Sequence, residues 1–364
     1  MTQFRSLYFI AANTALLVWT LQFAACVGLR AYDSIAPALL KPPMSEAVKR
    51  NYAHLSAADQ DDLFATTKDL RFRYEPVVGI LQRQTSSRFI NIDSHGIRSN
   101  GGPHRGVAAL EGATWFLGGS TTFGDGIADR ETIPAQLEQL IGRPVINLGV
   151  PAFATAHENL LLNHYLRLGY RPSSVLFLDG INETCEPDPY LKEMTTLLNQ
   201  AQDGYSWDIG GPVATAYFRA IRKAQKLAGI WVDDSERQTV ACSRDGRPYP
   251  LSVFHTRLLA ERDAICRLYK VDCHTLVQPF AGVHGRTEDL PKSFLDGANG
   301  QELRDVFVHL EPVWRAAGAL FVTDAFDGYD RHPFVDEVHY SADASRLIAE
   351  TIAKRLNLVG ASTP

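Results

Sequence analysis

The chain has 364 residues, of which 45% are hydrophobic and 21% are charged, and its formal net charge is -5. A chain of this length and apolar content can bury a large core, in one large domain or in two. The acidic balance gives no reason to expect nucleic acid as a partner, and the sequence contains no internal repeat or low-complexity segment.

The N-terminal part of the chain contains an apolar segment, residues 7–29, without a charged side chain. It is long enough to cross a bilayer as a helix, so we predict an N-terminal membrane anchor over residues 1–30. The sequence Phe-Ala-Ala ahead of Cys26 loosely resembles a bacterial lipobox, which makes a lipid-modified Cys26 a second interpretation. Basic residues are more numerous after the span than before it, and this bias favours a cytoplasmic position for the rest of the chain.

Residues 31–110 are predicted to separate the membrane from the domain that follows. Ser56 precedes an acidic turn and is expected to cap a short helix that runs to residue 65. Residues 72–80 and 89–97 are predicted to be extended.

From residue 113 onward, apolar strands alternate with amphipathic helices. Strands are predicted at residues 113–117, 145–148, 175–178, 273–277 and 320–323, and helices from residue 132 and at 156–168, 251–269, 302–316 and 342–356. This alternation predicts an α/β fold with a parallel sheet of about five strands joined by right-handed crossovers.

Small and polar residues follow the first three predicted strands. The first strand ends on Gly118 and Gly119, with Ser120 on the turn; the second ends at Gly149, and Asn182 follows the third. The carboxyl ends of parallel strands share one edge of the sheet, where open α/β folds bind their ligands. We therefore expect these residues to lie at one site, although a Gly-Ser turn can also be purely structural.

No cofactor and no metal are predicted. Asp125 stands where a P-loop needs lysine, and Asp129 stands where a dinucleotide fingerprint needs its third glycine. Four cysteines follow the apolar segment: Cys185, Cys242, Cys266 and Cys273. None has the spacing of a metal cluster. They can form disulfides by any of three pairings or remain buried thiols.

Near the end of the chain, Asp336 and His339 precede Ser341, which is predicted to cap the last helix. An imidazole takes a serine proton efficiently when a carboxylate holds its other nitrogen. An Asp-x-x-His pair is common in structural loops, but together with Ser120 it forms a candidate catalytic triad.

Four segments occur in the order of the four sequence blocks of the SGNH (GDSL-like) hydrolases. They are Gly-Gly-Ser-Thr-Thr at 118–122, Asn-Leu-Gly at 147–149, Gly-Ile-Asn-Glu at 180–183 and Asp-Glu-Val-His at 336–339. The chain resembles the Gly-Gly-Ser-Thr branch of this family over residues 112–356, with Gly119 and Glu183 where many members have Asp. Residues 93–98 also resemble the Asn-x-x-Gly-Phe-Arg element that precedes the first block in this branch.

The resemblance implies a flavodoxin-like three-layer sandwich over residues 111–358. It also implies a nucleophile at Ser120 and a base at His339 that is oriented by Asp336. Oxyanion donors would be the backbone N–H groups of Ser120 and Gly149 and the side chain of Asn182. Membrane-anchored bacterial members usually face the periplasm or the cell exterior, so we expect an exported domain despite the charge bias.

Residues 186–234 form an insertion directly after the Asn182 loop. Its aromatic residues Tyr190, Tyr205 and Trp207 are placed to stack on sugar rings, whereas its amphipathic stretch at 213–228 is also typical of a packed helical cap.

The sequence thus predicts a membrane-anchored serine esterase that acts on acyl esters, with O-acetyl groups of a carbohydrate as the expected substrate. One alternative is an O-acetyltransferase that moves acetyl to a cell-envelope or exported polysaccharide. A second alternative is a glycan-binding protein without catalysis. The sequence indicates no protein partner.

Overall fold

The computed structural model describes residues 44–103, 106–183, 241–244, 247–285, 290 and 292–358, with a few isolated positions between residues 13 and 23. Within these residues, no helix has the length and apolar character that crossing a bilayer requires. The predicted anchor at 1–30 lies almost entirely outside the described residues. The predicted insertion at 186–234, with its three aromatic residues, lies wholly outside them.

The first described part of the chain forms two helices and two small antiparallel strand pairs. These elements are α1 (Glu46–Asn51), α2 (Ala57–Asp69), β1 (Phe72–Glu75), β2 (Gly79–Gln82), β3 (Thr85–Ser86) and β4 (Asn91–Ile92). Strand β1 pairs with β2, and β3 pairs with β4. The predicted cap is confirmed, because the Ser56 hydroxyl accepts a hydrogen bond from the Asp59 N–H at 3.2 Å, and helix α2 continues past the predicted end at residue 65.

The centre of the fold is a parallel sheet. The next strands along the chain are β5 (Thr114–Gly118), β6 (Val145–Gly149), β7 (Ser174–Asp179), β8 (Ala241–Arg244), β9 (Arg247–Pro250), β10 (Cys273–Val277) and β11 (Leu320–Phe321). Strands β8 and β9 form a separate antiparallel pair, and the other five form one sheet in the order β11-β10-β7-β5-β6. All neighbours in that sheet are parallel. The predicted α/β fold with five parallel strands is therefore confirmed, and its strand order is the flavodoxin-like one.

Helices cover both faces of this sheet. They are α3 (Ser120–Phe123), α4 (Ile133–Ile141), α5 (Thr155–Arg167), α6 (Leu251–Tyr269), α7 (Lys292–Leu295), α8 (Ala298–Ala316) and α9 (Ala342–Arg355). Helices α4 and α9 pack together, and α5 packs against α6. Successive residues of a strand point to opposite faces. Accordingly, Phe116 joins the core cluster that contains Leu137 and Ile348, whereas Trp115 joins the cluster that contains Leu161.

A disulfide joins Cys266 near the end of α6 to Cys273 at the start of β10. The structure thus selects a disulfide for this pair among the possibilities that the sequence leaves open. The side chains of Cys185 and Cys242 lie outside the described part of the chain.

Candidate active site

Ser120 follows the carboxyl end of β5, the first strand of the parallel sheet in chain order. The strand ends at Gly118, and Ser120 is the first residue of the short helix α3. Gly119, between them, has no room for a side chain, because a Cβ there would overlap the Asn182 amide nitrogen and approach the carbonyl oxygen of Phe153 to 3.0 Å. Glycine at position 119 therefore lets the third predicted block approach the serine.

Asp336 and His339 are held together by three hydrogen bonds within their loop. The Nδ1 atom of His339 lies 2.7 Å from Oδ2 of Asp336. The other carboxylate oxygen, Oδ1, accepts the backbone N–H groups of Val338 and His339, each at 2.8 Å. As the sequence predicts, Ser341 caps the following helix by accepting the Ala344 N–H at 3.2 Å. The aspartate therefore fixes both the loop and the orientation of the imidazole.

This pairing shifts the pKa of both groups. The Asp336 side chain is about half exposed, at 52%. Its partial burial alone would raise the pKa of the carboxyl, but the hydrogen bonds from His339 and the backbone hold the pKa below its ordinary value. Burial alone would lower the pKa of His339, but the hydrogen bond and charge of Asp336, with a smaller contribution from Asp125, raise it. The imidazole is therefore a stronger base than a free histidine.

The second nitrogen of His339 does not reach the serine in this structure. The Nε2 atom is buried and has no hydrogen-bond partner among the described residues. It lies 3.6 Å from Oδ2 of Asp125, on the loop after α3. The structure thus pairs two members of the predicted triad, Asp336 and His339, while Nε2 of His339 makes no hydrogen bond to Ser120. Catalytic hydrogen bonds are often long in proteins without substrate and tighten when substrate binds.

The two other predicted oxyanion donors are in different situations. The Asn182 side chain donates to the Phe153 carbonyl at 2.8 Å and lies against Gly119. An amide NH₂ has a second proton that remains for another acceptor. In contrast, the backbone N–H of Gly149 donates to Oδ1 of Asn147 at 3.0 Å. Asn147 in turn contacts carbonyl groups of α3, so Gly149 belongs to a contact that supports the serine helix.

The loop after Gly149 contains a residue that the sequence does not single out. Ala152 has a φ of 71°, a left-handed conformation that is uncommon for alanine. Its backbone N–H makes no hydrogen bond to the residues that the structure describes. The neighbouring Phe153 carbonyl is the one that contacts Asn182. Among the described residues, this N–H is therefore without an acceptor, and it lies one residue before Phe153, whose carbonyl accepts the Asn182 amide.

A buried charged cluster lies behind the Asn182 loop. Nη1 of Arg262 binds both carboxylate oxygens of Asp179 at 2.9 and 3.1 Å, and Nη2 binds Glu158 at 2.8 Å. The same guanidinium lies 3.8 Å from the ring centroid of Phe177. These contacts join α6 to α5 and to the end of β7, just before the Asn182 loop.

Glu183 connects this cluster to the site. One of its carboxylate oxygens accepts the N–H of Thr155 at 3.3 Å and the Thr155 hydroxyl at 2.9 Å. Burial, together with the charge of Asp179, raises the pKa of Glu183 to about 8. His255 lies 3.5 Å from the same oxygen, and its other nitrogen accepts the Trp314 indole N–H at 2.9 Å. Because Nε2 of His255 accepts this bond, the single proton of the neutral imidazole lies on Nδ1, the nitrogen that faces Glu183.

Residues before the first central strand also shape the site. Arg98 is buried and donates to the carbonyls of Phe123, Gly124 and Ile127, each at 2.7 Å, and to Asp129 at 3.0 Å. These contacts hold the loop that follows the serine helix. Residues 31–110 are predicted from the sequence as a spacer, but they also contain Arg98, which holds the loop after the serine helix in place.

Two residues near α1 reach the same region. The Tyr52 hydroxyl donates to the Gly126 carbonyl at 2.9 Å. The Asn51 amide donates to the carbonyls of His332 and Phe334 at 3.1 and 2.8 Å, at the start of the base-bearing loop. The loop after the serine helix and the loop of the base are thus both held by the N-terminal segment.

Comparison with protein-family models and with curated proteins finds no match. Among solved structures, the chain is similar to a member of the lipolytic G-D-S-L family from Veillonella parvula, with 12% identity, a TM-score of 0.38, and coverage of 67% of this chain and 98% of that one. It is also similar to a carbohydrate acetylesterase from Sinorhizobium meliloti, with 14% identity, a TM-score of 0.34, and coverage of 69% and 100%. An acetyl xylan esterase has 10% identity, a TM-score of 0.36, and coverage of 67% and 99%. The assignment of a function to this chain therefore depends on the geometry of its own site.

Proposed function

We propose that this protein is a serine esterase of SGNH type that cleaves acyl esters, with O-acetyl groups on a carbohydrate as its substrate class. The observation that carries the proposal is the pairing of His339 with Asp336 at 2.7 Å. It is combined with a serine at the carboxyl end of β5 and with the Asn182 amide nitrogen against the preceding Gly119. This combination supplies a nucleophile, an oriented base and an oxyanion donor, which acyl transfer requires.

In the proposed reaction, the Ser120 hydroxyl oxygen bonds to the ester carbonyl carbon while Nε2 of His339 takes its proton. Asp336 accepts a hydrogen bond from Nδ1–H and stabilises the imidazolium without taking its proton. The Ser120 N–H and the Asn182 amide would bind the oxyanion, each contributing on the order of 3 kcal/mol to the transition state. A third donor would come from residues 149–154. In that loop the Gly149 N–H already donates to Asn147, whereas the Ala152 N–H has no acceptor among the described residues.

The imidazolium then passes its proton to the leaving alcohol, and the acyl group remains on Ser120. Water would complete a hydrolase cycle by the reverse proton path. A sugar hydroxyl in the place of water would give an O-acetyltransferase from the same residues, because the two reactions differ only in acceptor binding and water exclusion.

The test uses the purified full chain with a small activated acetyl ester and a panel of acetylated glycans. We expect Ser120→Ala and His339→Ala each to remove nearly all turnover, and the double variant to lose no more than either one, because the pair acts as a unit. Asp336→Asn should keep more activity, with a loss of up to about ten-thousand-fold. Ser174→Ala is the matched control, since Ser174 is the first residue of β7 and therefore lies at the amino-terminal ends of the strands, away from the site.

Wild-type turnover in Ser120→Ala would refute the assignment of the nucleophile. If the wild-type protein released no acetyl from any substrate but bound the glycans, the glycan-binding alternative would replace the esterase. Acetyl transfer to an added unacetylated glycan, at the expense of free acetate, would identify a transferase.

A further inference from the structure

The base of the candidate triad faces a second carboxylate. The Nε2 atom of His339 lies 3.6 Å from Oδ2 of Asp125, while its Nδ1 atom lies 2.7 Å from Asp336. The imidazole side chain is only 16% exposed and the Asp125 side chain 22%. A buried ring nitrogen without a hydrogen-bond partner is costly. A carboxylate at this distance compensates for that cost most strongly when the nitrogen carries a proton.

The position of Asp125 is fixed by the serine itself. Its backbone N–H donates to the Ser120 carbonyl at 3.1 Å, next to the N–H of Gly124, which donates to the same carbonyl at 2.8 Å. Arg98 binds the Gly124 carbonyl at 2.7 Å from the other side. The carboxylate is therefore attached to a loop with a defined shape, and its place beside the base does not depend on an unsupported surface turn.

Among the residues that the structure describes, three other ionisable groups face this pair from the elements packed around it. Asp336 lies on the same loop as His339. Burial raises the pKa of Asp125 above its ordinary value, and the charges of His339 and of Arg98, which comes from the segment before β5, oppose that rise. Tyr52 follows α1, and burial and the charge of Asp336 raise the pKa of its hydroxyl, so Tyr52 stays neutral. The pair thus has one further carboxylate and one buried cation around it.

We propose that Asp125 is a positioning residue for the base: its carboxylate pairs with Nε2 of His339 in the substrate-free protein, keeps a proton on that nitrogen, and sets the lower pH limit of ester turnover. In the resting protein the imidazole is then an imidazolium, with its Nδ1–H on Asp336 and its Nε2–H directed at Asp125.

The proton balance of the first step follows from this state. The Nε2 proton must leave to solvent before Nε2 can accept the proton of Ser120, which it does as the serine oxygen bonds to the carbonyl carbon. The accepted proton then goes to the leaving alkoxide as the bond between that oxygen and the carbonyl carbon breaks. Turnover therefore falls as the pH drops through the pKa of His339. A variant with a lower pKa at His339 stays active at lower pH.

The catalytic part of this proposal rests on the proposed esterase function, but the pairing itself is measurable without any substrate. The full chain labelled with ¹⁵N-histidine contains 11 histidines, and the signals of His339 are identified by their loss in His339→Gln. We expect Asp125→Asn to lower the pKa of His339 by about one unit or more, which is the effect of removing an opposite charge within about 4 Å. Asp125→Glu, which keeps the charge, should restore most of the difference.

The control is Glu131→Gln, which removes a carboxylate from the same loop region. Glu131 pairs with His54 at 2.8 Å, and we expect the pKa of His339 to be unchanged in this variant. An unchanged pKa in a folded Asp125→Asn variant would overturn the proposal, as would equal shifts in the two variants. If the titration shows the expected shift but no ester is cleaved, the pairing stands and the esterase assignment fails. If ester is cleaved, the acid limb of the pH–rate profile should move to lower pH by the same amount as the pKa.

Discussion

Replacing Arg262 by methionine removes the buried cation that joins α6 to α5 and β7. Its guanidinium makes contacts of 2.8 to 3.1 Å with Asp179 and Glu158 and lies over the Phe177 ring at 3.8 Å. Methionine keeps much of the side-chain length and apolar contact but leaves both carboxylates buried without their partner. Breaking a buried ion pair from one side costs about 3 to 5 kcal/mol of unfolding free energy.

For a chain of this size, 1 kcal/mol corresponds to roughly 2 °C in the midpoint of thermal unfolding. We therefore expect Arg262→Met to lower the midpoint by about 6 to 10 °C at pH 8. The loss should be smaller at pH 5.5. Burial and the charge of Asp179 already raise the pKa of Glu158, and Arg262 opposes that rise. Without the guanidinium, the folded variant therefore binds a proton that the unfolded chain releases, and its stability increases as the pH falls.

Circular dichroism during heating measures both effects, and Arg315→Met serves as the matched control. Arg315 also pairs with a glutamate and lies 4.2 Å from an aromatic centroid, but its side chain is 62% exposed. Its removal should cost less than about 1 kcal/mol. Similar shifts for the two variants, or a larger loss at pH 5.5 than at pH 8, would refute the argument from burial.

Three further predictions follow from the site and from the sequence. Gly119→Ala should displace the Asn182 amide and reduce ester turnover by about a hundred- to a thousand-fold, which is the effect of losing one oxyanion donor. The midpoint of thermal unfolding should change little, and unchanged turnover would show that the reaction does not use the amide. Replacing Trp207 and Tyr205 by Ala should weaken turnover of a polymeric acetylated glycan far more than that of a small ester, whereas equal losses would indicate a role in the fold. A reporter that is active only in an oxidising exterior compartment should be active when it is fused after Pro364, because the apolar N-terminal segment and the resemblance to exported proteins predict export. Activity of a cytoplasmic reporter alone would reverse the topology.

The sequence predicts the central strands well because their signal is local. The apolar run that contains Trp115 stops at two glycines, and the observed strand β5 has nearly the same bounds as the predicted one. The prediction is weaker at the far edge, where β11 has only two residues and the predicted strand has four. Helix α8 begins at Ala298, before the predicted start at residue 302.

The polar contacts of the site could not be predicted in the same way, because they join residues far apart in the chain. Asp125 meets His339 only after the sheet has brought two loops to one edge. Glu158 and Arg262 lie on helices, where a charged residue normally faces solvent, and periodicity does not reveal that a partner on another element permits burial. The contact between Gly149 and Asn147 depends on a side-chain orientation that no pattern specifies.

The hydrogen bonds from Asn51 to the carbonyls of His332 and Phe334 have a consequence for the order in which the molecule forms. They join residues 281 and 283 positions apart, so they close a loop that includes nearly the whole described chain. Contacts of such sequence separation form late, because the entropy of closing the loop opposes them until the sheet is in place. During synthesis, Asn51 can make these hydrogen bonds to the loop that carries His339 only after residues 332–334 have been synthesised.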